Sequence, residues 1–442
     1  MYDVIIIGGG TAGCSCAWNC GKLGLKTLLL EKNNYLGGTM TGGLVVPVMQ
    51  SGENQINTDF YSELITEMSK SGNQITYQDN PGWFNPIYLK YCLEKMLKDV
   101  GIDIIYNFNL KNIKNKNFYV ESIEVNNDKL LSAYNAPIST DNIKPQNPNI
   151  LSVYIEAKYF VDSTGDLNFC QKNNCEFLEN KNDYPPVSLR FIMSGVNLDK
   201  LAQQLLEIDS DRDVTTVEYI GGQTHLSTAY TWDTDKHWGL APLFDDAVSK
   251  GILHDKDRNY FQIFSVAGMP DSIAFNCPRI IENINPLDQN DIDKAKVFGI
   301  NAIERLANFC KIYFKGFDNA YVSYIADSIG IRSSRRIKGK YIYTIDDLRN
   351  GKTFKNPVVI SNYPVDVHSR EKNTSVLEKN GEYQLPIESL MDSKYANLYI
   401  AGRGLSADEQ AQGALRVQAS CFSMGEAVAK DIYKKINNPV QS

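Results

Sequence analysis

The sequence predicts an α/β fold, and three observations carry that prediction. Residues 2–31 read as strand, glycine turn, helix and second strand; a stretch near the C-terminus repeats the strand-to-helix pattern; the chain between them mixes strand-like and helical segments. The opening run "DVIII" is short, apolar and β-branched, as suits a strand buried on both faces. "GGGTAG" follows at once, so Gly8, Gly10 and Gly13 form G-x-G-x-x-G. "TAGCSCAWNCGKLG" continues as a helix of small residues, and "LKTLLLE" as a strand ending on Glu31. A β-turn-α-β unit with an acid about 20 residues beyond its glycines is the dinucleotide fingerprint.

Each position in that unit has a physical task. Gly8 permits the tight turn, Gly10 lets backbone approach a pyrophosphate, and Gly13 lets helix and strand pack closely. The first N–H groups of the helix, with their partial positive charge, face the phosphates. Glu31 would accept a hydrogen bond from a ribose hydroxyl, and its carboxylate disfavours the 2′-phosphate of NADP. The unit alone does not separate FAD from NAD.

Composition narrows the partners. A chain of 442 residues exceeds one comfortable core, so two or three domains are expected. A net charge of −7 argues against nucleic acid, which needs clustered Lys and Arg. No apolar run approaches the ~20 residues that span a bilayer, so no membrane partner is expected. The apolar opening lacks the basic region of a signal peptide and reads as a strand. Nine cysteines include no CxxC pair, which favours a reducing compartment, a cytoplasmic location and no metal site. Cys14, Cys16 and Cys20 read as small packing residues of the first helix, and Cys421 as buried packing of a later one.

Three further stretches bear on the cofactor. "YLGGTMTGG" follows Glu31, and its Gly37, Gly38, Gly42 and Gly43 suggest backbone lying against a flat ring, or else a plain flexible loop. "AKYFVDSTGDLNF" reads as a strand ending in Thr164-Gly165-Asp166. "ANLYIAGRGLSADEQAQGALRVQASCFSMGEAVAKDI" reads as a strand, a glycine turn and a long small-residue helix.

With "IIIGGGTAG", "LLLEKNNYLGGTMTGGL", "FNPIYLKYCLEKMLKDVGIDIIYN", "FVDSTGDL", "YIADSIGIRSSRRIKGKYIYTIDDL", "YPVDVHS" and "NLYIAGRGLSADEQAQGALRVQASCFSMGEA", the chain resembles the FAD-dependent oxidoreductase family of two-dinucleotide-binding-domain flavoproteins over nearly its whole length. The resemblance implies FAD as cofactor. Its ADP half would lie on Gly8, Gly10, Thr11, Ala12, Gly13, Glu31 and Lys32. The loop carrying Gly38, Thr39, Thr41 and Gly42 would run beside the flavin. Thr164, Gly165 and Asp166 would approach the nucleotide, and Gly402 and Arg403 the middle of the cofactor. Gly413, Ala414, Arg416 and Val417 would place a helix start, with Arg416 beginning it, near the pyrimidine end of the ring, where it stabilises negative charge on reduced flavin.

The resemblance also implies a Rossmann-like FAD-binding domain of glutathione-reductase type with a discontinuous chain, residues 1–180 and 385–442, around a mixed sheet-and-helix substrate domain, 185–384. In the first piece, "NPIYLKYCLEKMLKDVG" reads as an amphipathic helix, "IDIIYNFNLKNI" as a strand, and "FYVESIEV" with "SVYIEAKYFVDS" as paired strands. "NNDKLLSAYNAPISTDNIKPQNPN" between them reads as an exposed excursion. In the middle, "SLRFIMSGV" reads as a strand, "DIDKAKVFGINAIERLANFCKIY" as a long helix, and "GKYIYTIDDL" as a strand returning to the sheet.

Catalytic candidates must be titratable or cationic. His368, in "YPVDVHSREK", is the first, because an imidazole suits proton transfer near neutral pH; a loop histidine in an ordinary hydrogen bond is the alternative. "GIRSSRRIKG" offers Arg332, Arg335 and Arg336. If extended, it puts Arg332 and Arg336 on one face and Arg335 on the other. Arg332 and Arg336 would fix a substrate carboxylate or phosphate or stabilise anionic flavin; a solvated basic face or salt bridging is the alternative. His225 and His237 flank "TAYTWDTDKHWG", which either lines a pocket or simply packs.

One fingerprint is visible and no CxxC redox pair, so electrons come from the substrate or from a separate donor or acceptor. The expected function is an FAD-dependent dehydrogenase or reductase that transfers hydride between a small organic substrate and flavin N5. The alternatives are an NADH-reduced flavin monooxygenase and a flavin-binding redox sensor without turnover. Homo-oligomerisation is left open.

Overall fold

The computed structural model describes residues 1–126, 152–179, 184–229, 238–366 and 381–438. Strand β1 (Tyr2–Ile7) lies parallel to β2 (Thr27–Glu31), joined to it by the helix Thr11–Lys22. A hairpin of β3 (Gln74–Tyr77) and β4 (Asn80–Phe84) leads into the helix Pro86–Asp99, which delivers β5 (Asp103–Tyr106) to the free edge of β2. That helix starts where the Asn85 side chain accepts from the N–H groups of Ile87 and Tyr88, with Pro86 behind it. An antiparallel meander of β6 (Leu110–Lys116), β7 (Tyr119–Asn126) and β8 (Ser152–Asp162) returns the chain, and β8 pairs in parallel with β1.

The near-continuous apolar character of β1 and β2 has its reason in two cores. Ile5, Ile7, Leu28 and Leu30 pack on one face with residues of β7 and β8, while Val4, Ile6 and Leu29 pack on the other with the helices. Burying such a side chain contributes roughly 1.5–3 kcal/mol, and both faces of the sheet share that gain.

The middle of the chain builds a different sheet. It contains β9 (Val187–Ser188), β10 (Phe191–Ser194), β11 (Thr215–Ile220), β12 (Gln223–Ala229), β13 (Gln262–Val266), β14 (Met269–Phe275), β15 (Arg279–Ile280) and β16 (Tyr321–Ile325). Six of these form one antiparallel sheet in the order β11-β12-β13-β14-β10-β16, and β9 pairs with β15 separately. The helix Gln289–Tyr313 packs Phe309 against Phe244, with ring centroids 4.4 Å apart. An antiparallel pair, β17 (Pro357–Ser361) and β18 (Tyr383–Pro386), follows, and β19 (Leu398–Ile400) then rejoins the first sheet in parallel beside β8.

The terminal helix Gln418–Asn437 crosses the first helix at close range. A Cβ on Gly425 would lie 2.2 Å from the Ala12 carbonyl oxygen, and Ser15 Oγ donates to the Phe422 carbonyl at 2.7 Å. Cys14, Cys16 and Cys20 are fully buried in the first helix, which fits their reading as small packing residues.

Several elements differ from expectation. "IDIIYNFNLKNI" is two strands, broken at Asn107, which takes φ +52°. "SLRFIMSGV" is β9 and β10, with Leu189 and Arg190 between them. "GKYIYTIDDL" is not a strand. Its first half makes only isolated bridges, Gly339 with Asp392 and Tyr343 with Ala407, and the rest is the short helix Ile345–Arg349. The cause is local: the Thr344 hydroxyl accepts from Asp347 N–H and the Asp347 carboxylate from Thr344 N–H, a capping box that starts a helix. The expected single C-terminal helix is two, Glu409–Leu415 and Gln418–Asn437. The excursion between β7 and β8 lies outside the described residues. Among the described residues no helix is long and apolar enough to cross a membrane, and no cluster of side chains suits a metal ion.

Candidate functional site

The glycine turn is built as its spacing requires. Gly8 takes φ +101°, and a Cβ there would lie 2.6 Å from the Ser163 carbonyl oxygen; one on Gly13 would lie 1.9 Å from the Gly8 oxygen. Gly10 differs, because a Cβ there meets nothing nearer than Gly38 Cα at 4.0 Å. The turn therefore closes tightly at Gly8 and Gly13 and faces open space at Gly10. Gly10 is also the N-cap of the first helix and supplies no side-chain cap, so the first-turn N–H groups of Thr11 and its neighbours can receive an anion.

Glu31 stands at the end of β2, 5% exposed. Its Oε2 accepts from Gly9 N–H at 2.7 Å, and its Oε1 from Asn33 N–H and Nδ2–H, both at 2.8 Å. Burial pushes its carboxyl pKa up, and these hydrogen bonds with the Lys32 charge only partly offset that. An ionised carboxylate has roughly four acceptor positions, so one remains for a hydroxyl. Lys32 itself is exposed.

The turn after β8 joins three predicted stretches. Buried Asp162 accepts from Thr164 N–H (3.0 Å), Thr164 Oγ (2.7 Å) and Cys170 N–H (2.9 Å), so the Thr164 hydroxyl serves the turn itself. Gly165 takes φ +79°. Arg403, following Gly402 at φ +103°, donates through Nε to the Gly165 carbonyl (3.0 Å), through Nη1 to the Ile331 carbonyl (3.0 Å) and through Nη2 to Asp166 Oδ1 (2.6 Å). Ser334 Oγ also donates to Asp166 Oδ1 at 2.7 Å, and Arg335 Nη1 to the Asp166 carbonyl at 2.9 Å. Burial raises the Asp166 carboxyl pKa, but Arg403 and Ser334 pull it below the usual value.

The loop after Glu31 closes over the glycine turn. Gly37 N–H donates to the Gly9 carbonyl at 2.8 Å, and a Cβ on Gly38 would lie 2.9 Å from Gly10 Cα. Its other glycines answer to the loop's own packing. A Cβ on Gly42 would lie 2.2 Å from Tyr35 Oη, and one on Gly43 2.8 Å from the Thr39 carbonyl oxygen. The Thr41 hydroxyl donates to the Leu36 carbonyl, and the Thr39 carbonyl accepts from Val45 N–H at 2.9 Å.

At the C-terminal side, Gly413 and Ala414 are buried inside the helix Glu409–Leu415, not at a helix start. Arg416 closes that helix instead of beginning one, and extended Val417 separates it from Gln418. Arg416 Nη2 donates to Asp366 Oδ2 at 3.0 Å. Gln418 Nε2 donates to the Val45 carbonyl at 2.7 Å, while Gln418 Oε1 and Ser420 Oγ are buried without a partner among the described residues. The second helix has no side-chain N-cap, so its open N–H groups stand beside these two orphaned atoms. Gln418 follows Val417 in the C-terminal stretch and is not among the residues the sequence singles out.

The arginines of "GIRSSRRIKG" separate. Half-buried Arg332 donates through Nη1 to the Pro186 carbonyl. Arg336, 4% exposed, spans the Ala407 and Glu179 carbonyls at 2.9 Å each, tying two distant segments together. The two thus hold different partners, in a segment without regular secondary structure. His225 is buried on β12 with Nδ1 3.1 Å from Ser265 Oγ, and burial lowers its pKa; it packs in the sheet. His254 N–H donates to Asp257 at the start of a short helix. His368 and His237 lie outside the described residues. Arg190 and Arg279 were not singled out from the sequence. An arginine inside the apolar run "SLRFIM" was the available signal, since buried arginine needs a partner.

The family described as FAD dependent oxidoreductase matches residues 3–142 and 143–433. Short stretches resemble curated proteins. Mitochondrial glycerol-3-phosphate dehydrogenase of Rattus norvegicus is 47% identical over 38 residues, 9% of this chain and 5% of that protein. Thiamine thiazole synthase of Aeropyrum pernix is 50% identical over 36 residues, 8% and 13% of the two chains. Nicotine dehydrogenase of Pseudomonas putida is 54% identical over 37 residues, 8% of each. The match thus spans only a small part of each curated relative. Among solved structures, a geranylgeranyl bacteriochlorophyll reductase-like protein from Thermoplasma acidophilum aligns over 99% of this chain and 79% of its own, at 13% identity and TM-score 0.48. A p-nitrophenol 4-monooxygenase from Pseudomonas putida aligns over 100% and 81%, at 11% identity and TM-score 0.47. At these values the likeness adds nothing to what the strand order already shows.

Proposed function

Since the chain belongs to the FAD-dependent oxidoreductase family and takes FAD as its cofactor, we propose that it transfers hydride between a small organic substrate and the flavin. The supporting observation is one unbroken path of contacts. The open Gly10 turn touches Gly38, the 37–45 loop runs from there to Val45, and Val45 meets Gln418 at a helix start that holds orphaned polar atoms. An extended dinucleotide fits such a path; a single nucleotide would leave its far end unused.

On this reading residues 1–180 and 385–442 form the FAD-binding domain of glutathione-reductase type, and residues 185–384 the substrate domain. Gly8 to Gly13 and Glu31 would hold the ADP half, and Gln418 with its helix start would hold the flavin end. Bound FAD supplies the hydride acceptor or donor at N5. The helix start contributes a partial positive charge toward it. His368 moves the substrate proton at an imidazole nitrogen. We place the protein in the cytoplasm, where its nine buried, unpaired cysteines stay reduced, with a separate electron donor or acceptor.

Anaerobic exposure of the yellow protein to panels of metabolites tests the reading, with bleaching by one chemical class as the expected result. NADH-driven oxygen uptake would assign a monooxygenase instead, and no substrate-dependent bleaching would assign a sensor. His368→Ala should keep its flavin and bleach roughly 10²-fold more slowly. A wild-type bleaching rate removes His368 from the mechanism.

Glu31→Ala should weaken FAD retention about tenfold, close to 1.4 kcal/mol, because Gly9 and Asn33 lose their acceptor along with the ribose. Flavin content measured after serial dilution checks it, and content equal to wild type would exclude the role.

A further inference from the structure

The middle sheet ends in a polar row. Phe191 on β10 lies opposite Phe275 on β14, and Phe275 opposite Ile263 on β13; Ile192, Ala274 and Phe264 make the next row inward. One step outward, the same antiparallel register sets Arg190, Asn276 and Gln262 abreast, and opposite residues of a sheet project from one face. Backbone bonds hold this outer row: Asn276 N–H donates to the Gln262 carbonyl and Ala326 N–H to the Arg190 carbonyl, both at 2.9 Å. Two apolar rows thus give way to three polar side chains at the sheet's end.

Hydrogen bonds fix two of the three. Asn276 Nδ2 donates to Tyr260 Oη at 2.8 Å and also to Gln262 Oε1, and Tyr260 Oη donates to Gln262 Oε1 at 3.0 Å. Both Asn276 N–H groups are thereby used, and its Oδ1 is buried with no partner among the described residues. Arg190, 9% exposed, donates through Nη1 to the Leu44 carbonyl at 3.2 Å and buries Nε with no partner among the described residues. Among those residues no carboxylate pairs with Arg190, and burial pulls its pKa down to about 10. Native proteins seldom bury polar atoms that nothing meets, so an unmet acceptor beside an unmet donor points to a ligand that answers both.

The two atoms ask for different groups. A guanidinium N–H is best met by a carboxylate, and an amide oxygen by an O–H or N–H donor. Opposite residues of an antiparallel pair hold their Cβ atoms about 4.5–5.5 Å apart, so one small molecule can reach both side chains. The donor it brings is a neutral one. An ammonium would stand beside the Arg190 charge, and the row holds no carboxylate to balance it. The place also borders the proposed flavin end: Leu44 precedes Val45, whose carbonyl accepts from Gln418.

We propose that Arg190 and Asn276 bind the head of an α-hydroxy carboxylate, the Arg190 guanidinium holding the carboxylate and Asn276 Oδ1 accepting from the hydroxyl on the adjacent carbon. The proposal rests on the functional reading above and gives that reading its substrate class.

The experiment titrates FAD-loaded protein with lactate, the smallest such head bearing a side chain, and with propionate, lactamide and alanine, reading the flavin difference spectrum and thermal unfolding. Lactate should bind at least about tenfold more tightly than propionate, which lacks the hydroxyl, than lactamide, which lacks the charge, and than alanine, which carries an ammonium. Asn276→Ala should bring lactate to the affinity of propionate and leave propionate unchanged, a shift in selectivity that lost packing alone does not produce. Arg190→Met should weaken lactate at least about tenfold. Arg190→Lys keeps the charge without the fork and should fall in between, which covers the event that the methionine variant does not fold. Lactate without effect on either readout, any of the three analogues matching it, an Asn276→Ala protein that keeps the wild-type preference for lactate, or Arg190→Lys titrating like wild type would overturn the site. Should the protein carry no flavin, the functional reading fails, while lactate-dependent thermal unfolding still decides the hydroxy-acid site.

Discussion

Gly13→Val is expected to yield protein that retains no FAD, with affinity reduced at least about 100-fold. The added Cβ would lie 1.9 Å from the Gly8 carbonyl oxygen and 2.7 Å from Ser163 Oγ. Neither can retreat easily. The Gly8 carbonyl accepts from Ser163 Oγ at 2.8 Å, and Gly8 N–H donates to the Leu30 carbonyl at 2.8 Å, so the turn is pinned to β2 and β8 together. Relief requires the first helix to lift away from β1. Overpacking against side chains costs about 1–3 kcal/mol, and backbone yields less than side chains do. The same shift moves the helix N-terminus away from the phosphates, so binding falls further than stability. Gly24→Ala is the control. It strains a position at φ +75° but meets nothing within 4 Å, so a loss of roughly 1 kcal/mol with FAD retained is expected. Flavin-to-protein absorbance after purification, together with the thermal midpoint, separates the two. A stoichiometrically yellow Gly13→Val protein would remove the turn from the cofactor site.

Arg403→Met is expected to destabilise the fold by about 3–5 kcal/mol, the usual consequence of leaving a buried charge without its partner. Arg403 and Asp166 are 16% and 15% exposed in their side chains, and the arginine also carries the Gly165 and Ile331 carbonyls. The pH dependence has a definite sign. In the wild type the folded Asp166 carboxyl lies below its usual value, so its contribution is full above the unfolded value and disappears as pH falls through the folded one. Without Arg403, burial would dominate and raise that carboxyl. The variant's deficit should then be largest near neutrality and shrink as pH falls toward about 4. Asp166→Asn in the same chain should restore part of the loss. Thermal unfolding of the four proteins from pH 7 to 4 forms the double-mutant cycle. A pH-independent deficit, or no restoration, would mean that the ion pair contributes nothing beyond packing.

What was readable in advance was mostly local. The helix Pro86–Asp99 announces itself through Asn85, Pro86 and its apolar spacing, all within one segment. "GKYIYTIDDL" misled because alternating side chains suit a strand only when a sheet edge is free to take it. Here the Thr344 and Asp347 side chains supply the competing hydrogen bonds. The C-terminal small-residue run was legible as helical but not as two helices, because Val417 leaves the helical region without Gly or Pro to mark it. Arg403 was read as a cofactor neighbour, and its three hydrogen bonds to the turn after β8 and to Ile331 had no trace in its own surroundings.

By itself the sequence determined the nucleotide end of this protein: the strand, the three glycines, the first helix and Glu31 interact within some thirty residues, so their spacing already encodes their geometry. Only the tertiary structure decided that Arg332 reaches the Pro186 carbonyl while Arg336 ties Ala407 to Glu179. Those partners lie on remote segments, and a linear pattern holds no record of which remote segment lies beside which.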